Sequence, residues 1–140
     1  MEEQIFGNLA LAWCEEDIIS VRQINTVEFQ DDVEAARQGI AGLIKFAEGP
    51  TRKGLLALLP PLYQKKEVLK LFQKADFNEA GVALIVKSFA GKIVGNMFVK
   101  IAQKPNDHGR VTPTKLFMDE AKAISWLREQ IALSETNTQE

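Results

Sequence analysis

Cysteine and histidine occur once each in the 140 residues, as Cys14 and His108. A lone cysteine cannot close an intramolecular disulfide, and the two together cannot build a His/Cys zinc site. No apolar run approaches the roughly eighteen residues needed to cross a bilayer. The N-terminus, MEEQIFGN, is acidic and has no basic region ahead of an apolar one, so it does not read as a secretory signal. The cytoplasm is the expected location. No nucleophile–base pair, metal cluster or glycine-rich phosphate loop can be assembled, so neither catalysis nor a cofactor is expected. Nucleic acid is not expected either: the lysines between Lys65 and Lys74 have no exposed aromatics interleaved, and the isoelectric point is about 5.5.

What is present suits a folded α/β domain. The hydrophobic fraction is 46% and the charged fraction 26%, ordinary for a globular chain. Residues 1–133 are enough for one domain, and Ser134 to Glu140 reads as a flexible tail. The net charge of −2 hides an asymmetry: residues 1–49 sum to −7 and residues 50–104 to +7. Such a dipole either aligns complementary surfaces of two copies, attracts an acidic partner, or reflects the solvated faces of ordinary surface helices.

The pattern is organised around Gly81 to Ala102. Val82-Ala83-Leu84-Ile85-Val86 is a short, β-branched apolar run, the mark of a strand covered on both faces. From Phe89 onward the period becomes helical. Ahead of it, residues 8–14 and 18–24 alternate and are joined by the acidic break Glu15-Glu16-Asp17, which predicts an antiparallel hairpin. A helix capped by Gln30 or Asp31 follows, with Val33, Ala36, Ile40, Leu43, Ile44 and Ala47 as its inner stripe. Gly39 and Gly42 lower its propensity by roughly 1 kcal/mol each and read as close-packing positions. Leu55 to Leu59 predicts a central strand ended by Pro60-Pro61, and residues 62–75 a helix with a lysine-rich outer edge. Phe77 is expected to pack beneath the turn that follows. After a polar loop at 103–110, residues 114–118 form a short strand and Asp119 caps a last helix. The expected order is ββαβαβαβα: a mixed sheet with an N-terminal antiparallel hairpin, later strands parallel, flanked by helices.

Ala83 to Ser88, Gly95-Asn96-Met97-Phe98, Pro113 to Phe117, and Glu120-Ala121 with Trp126-Leu127 together resemble bacterial STAS-like domains of the SpoIIAA-like set. The resemblance covers roughly residues 5–130. It implies a mixed sheet flanked by helices, a regulatory or protein-binding role, and frequent self-association. Anti-sigma-factor antagonists of this type carry a phosphorylated serine or threonine where this chain reads Leu59-Pro60-Pro61-Leu62-Tyr63. With neither residue there, a phosphate switch of that kind is not expected.

Two candidate sites follow. On the helix from Phe89 to Ala102, the residues Phe89, Ala90, Ile93, Val94, Met97 and Ile101 are expected to face the core. Gly91, Gly95, Val99 and Ala102, with Phe98 at the margin, are then left as a small-residue arc. That arc is either filled by the chain itself or forms a homodimer interface across a two-fold axis. Lys87 and Ser88 at the helix start, with Tyr63 near the carboxyl edge of the sheet, are candidate anion or ligand contacts; for Ser88 plain capping is the simpler role. The functional expectation is a non-enzymatic STAS-like regulatory or protein-interaction domain, homodimeric or bound to another protein. The alternative is a small-molecule or lipid-binding domain with an apolar pocket near the Pro60-Pro61-Tyr63 loop.

Overall fold

The acidic break at Glu15-Glu16-Asp17 closes the predicted hairpin between strands β2 (Leu9–Glu15) and β3 (Ile18–Gln23). Asp17 takes up the left-handed backbone region, φ 63°, which aspartate tolerates better than most residues. In the computed structural model, residues 2–24, 33–58, 66–106 and 109–138 are described. An additional strand, β1 (Gln4–Phe6), precedes the hairpin and pairs antiparallel with β2. Then come α1 (Val33–Phe46), β4 (Lys53–Leu58), α2 (Lys66–Lys74), β5 (Glu79–Ile85), α3 (Phe89–Ala102), β6 (Thr114–Phe117) and α4 (Glu120–Thr138).

The strands lie side by side in chain order, β1-β2-β3-β4-β5-β6. β2 and β3 are antiparallel, and β3 through β6 run parallel. The expected α/β class, with an antiparallel hairpin leading a parallel sheet, is what the chain adopts. The proposed caps at Gln30 and Asp31, and the Pro60-Pro61-Tyr63 loop, fall outside the described residues.

The two faces of the sheet carry separate cores. On one, Leu9, Leu11, Ile19, Val21 and Leu55 meet Leu43 of α1, with Phe77 buried at the start of the segment leading into β5. On the other, Ile18, Leu56, Ala83 and Ile85 pack against Ala123, Leu127 and Ile131 of α4. Asp119 caps α4 by accepting from the Ala121 backbone N–H at 2.9 Å.

Three expectations are corrected. The buried stripe of α1 is rotated toward Ala35, Ala36, Gly39, Gly42 and Leu43, leaving Ile44 43% exposed. Gly39 and Gly42 are close-packing positions: a Cβ on Gly42 would overlap the Phe6 ring, and one on Gly39 would lie 2.7 Å from Asn8 Oδ1. The last helix continues through Thr138, past the point where composition predicts a tail. Helix α3 is rotated from its predicted orientation, which determines where the candidate site lies.

Candidate functional site

Helix α3 has the predicted ends, and Ser88 caps it by accepting from the Gly91 backbone N–H at 3.0 Å. Its inward arc is rotated: of the residues expected inside, Ile101 still faces the molecule, while others are displaced outward by the glycine side. Gly91 and Gly95 are buried. A Cβ on Gly95 would overlap Leu116 Cδ2 of β6 and lie 3.1 Å from Val86 Cγ1. Phe98, Val99 and Ala102 are half-buried on the same side. At Gly95 the arc assigned to a homodimer contact is therefore closed by side chains of the chain's own sheet, while Phe98 and Ala102 turn toward the cavity below. Small side chains let the helix axis approach the sheet closely, and that approach decides the orientation. Phe89, Ile93 and Met97, expected inside, are 80%, 52% and 37% exposed, and Ala90 is exposed with them.

The inner face of α3 helps enclose a cavity of about 140 Å³. Its floor is the sheet, through Val21, Leu55, Ala57, Val82 and Leu84; its roof is Phe72 and Ala75 on the α2 side and Phe98, Ile101 and Ala102 on α3. The odd-numbered residues of β4 and the even-numbered residues of β5 share this face because side chains alternate along a strand. The lining is almost wholly apolar along this length.

One end is different. Gln73, Glu79, Lys104, Asn106, Arg110 and Thr112 gather there, at the edge where β5 and β6 begin. Asn78 takes φ 54° in the turn before β5, and its N–H donates to Asp76 Oδ1 at 2.8 Å. The Phe77 N–H donates to Glu79 Oε2 at 2.9 Å. Arg110, from the loop ahead of β6, donates through Nη1 to the Glu79 carbonyl and through Nη2 to Asp76 Oδ1, both at 2.7 Å. The same Nη2 lies 3.1 Å from Glu79 Oε2. Thr112 donates to Glu79 Oε1 at 2.5 Å. Gln73 Nε2 donates to the Pro105 carbonyl at 2.7 Å, tying α2 to the loop after α3. Burial works against the Arg110 charge, but the hydrogen bond to Asp76 and the field of Glu79 outweigh it and hold its pKa above the ordinary value.

Glu79 is buried, at 4% exposure, and a buried carboxylate requires this kind of partnering. Its position was open to notice in the sequence, as a charge at the head of an apolar strand. Its partners, drawn from residues 76 and 106–112, are too distant in sequence for spacing to link them.

The other predicted contacts are not brought to this end. Lys87 and Ser88 stand at the opposite edge, after β5, with Lys87 exposed and Ser88 occupied as the cap. Tyr63 and His108 lie outside the described residues. Cys14 is half-buried against the α4-side core; burial, followed by the nearby charge of Glu120, pushes its thiol pKa up, so it is a packed residue rather than a reactive one. Among the described residues no group of three His, Cys, Asp or Glu side chains could hold a metal ion, and no helix is long and apolar enough to cross a membrane.

A family described as a domain of unknown function, DUF7793, matches residues 12–131. No curated protein and no solved structure matches the chain.

Proposed function

We propose, from the premise that the chain belongs to the DUF7793 family, that it is a non-enzymatic, cytoplasmic STAS-like module that holds a small apolar ligand between its sheet and helices α2 and α3. The cavity of about 140 Å³ carries this reading. An engineered apolar cavity of about 150 Å³ takes up benzene. A ligand of that bulk, or a short stretch of acyl chain, suits the volume. The polar end around Arg110 and Glu79 supports an amphipathic ligand, apolar along its length with one hydrogen-bonding head, because a few fixed polar groups are what orient ligands in apolar pockets.

Calorimetric titration of the full chain with indole and with 1-hexanol tests this. Saturable binding with a negative heat-capacity change is expected, and Ala102→Trp, which adds bulk inside the cavity, should abolish it. No saturable binding by either compound, or binding unchanged in the variant, would overturn the reading.

A second reading, the partner-binding module implied by the STAS-like resemblance, is favoured by the outer edge of β6, which among the described strands pairs only with β5. An unpaired strand edge is a template for another chain. A homodimer of this kind would join β6 edges and leave Gly91 and Gly95 inside each copy. Light scattering at high protein concentration checks it: a dimer is expected, and a strictly monomeric protein removes the self-association.

A further inference from the structure

The outward face of α3 is an arrangement the cavity does not explain. Phe89, Ile93 and Met97 recur every fourth residue and so form one continuous stripe. Their exposures, 80%, 52% and 37%, mark a contiguous apolar surface rather than the scattered single residues that need no explanation. At 100° per residue Lys100 falls in the same sector, with Asn96 and Lys92 on its flank. From Lys87 to Lys104 the chain carries four lysines and no acidic residue.

We propose that this face of α3 docks on an anionic lipid surface. An apolar stripe bordered by lysines is the pattern of a helix lying in the plane of a membrane interface: the apolar side chains enter the acyl boundary while the lysine stems bend outward to bring their ammonium groups to the phosphates. A second copy fits less well. A two-fold contact through this stripe would bring the lysines bordering it on each copy toward those of the other, with no acidic residue on α3 to pair them. Three apolar residues also fall well short of the roughly 800 Å² per partner that a stable interface buries. The inward glycines seat α3 against Leu116 and Val86, which leaves its large apolar side chains presented to the outside. The inference does not depend on the cavity holding a ligand.

Co-sedimentation of the full chain with vesicles of phosphatidylcholine, with and without phosphatidylglycerol, tests it at low salt. Binding to the anionic vesicles is expected, weakened roughly twenty-five-fold on neutral ones if Lys92 and Lys100 each contribute about a factor of five. Phe89→Ser with Ile93→Ser should abolish binding, and these exposed positions leave the thermal melt unchanged. Lys92→Glu with Lys100→Glu should remove the preference for phosphatidylglycerol while keeping the fold. The proposal is overturned by absence of binding to anionic vesicles, by binding unaltered in both double variants, or by a dimer in which residues 89–97 are protected from hydrogen exchange.

Discussion

Arg110 is the residue on which most of the polar structure converges. Its two Nη atoms reach the Glu79 carbonyl, the Glu79 carboxylate and Asp76, so one side chain joins the α2–β5 turn to the loop before β6. Removing it would leave the buried Glu79 carboxylate beside Asp76 without its counter-charge. Breaking a buried pair in this way costs about 3–5 kcal/mol, and partial exposure of Arg110 and Asp76 places the value near the lower end. Arg110→Ala should accordingly lower the urea midpoint by an amount equivalent to about 3 kcal/mol. Arg110→Lys should lose less, because the charge stays and only the forked geometry goes. An unchanged midpoint in Arg110→Ala would mean the cluster is not holding the loops together.

At the scale of elements, α3 shows what a sequence reader can and cannot see. Ser88 and the change of period locate both ends of the helix, and those ends are correct. Its rotation cannot be inferred from hydrophobicity, which places Phe89, Ile93 and Met97 inward. Contact with the sheet is governed instead by the space above Val86 and Leu116, which only glycine fits. The prediction for Gly95→Leu is therefore reversed from that of a surface dimer. It should destabilise the isolated protein by about 1–3 kcal/mol through overpacking, read as a drop in the urea midpoint, with no dependence on protein concentration. The same logic accounts for α1, where Gly39 and Gly42 turn toward Asn8 and Phe6 and leave Ile44 partly outside. Strand β1 was illegible for another reason: three residues are too few to show a period. The parallel strands were legible because two-sided burial leaves an unbroken apolar run, as in Leu55-Leu56 and Ala83-Leu84-Ile85. An apolar pocket was expected near the Pro60-Pro61-Tyr63 loop, at the carboxyl edge of the sheet and outside the described residues, and the polar end of the cavity beneath α2 and α3 was not foreseen. It lies at the opposite edge, where Glu79 draws in groups from a loop about thirty residues further along.

Taken as a whole, the molecule covers one side of its sheet with several helices and the other with one. α1 touches α2, and α2 touches α3, on the side of the cavity; α4 alone lies over β4 and β5 on the reverse. The strand sequence in space repeats the strand sequence in the chain. No strand has to be inserted between two that are already joined, so a polypeptide emerging from its amino end can lay each strand beside the last. The reverse side stays bare while the six strands are laid down, and Leu56, Ala83 and Ile85 find shelter only once α4 follows. Among the described segments α4 alone closes the back of the sheet, so a chain cut shortly before Asp119 would keep every strand and leave one apolar flank open to water.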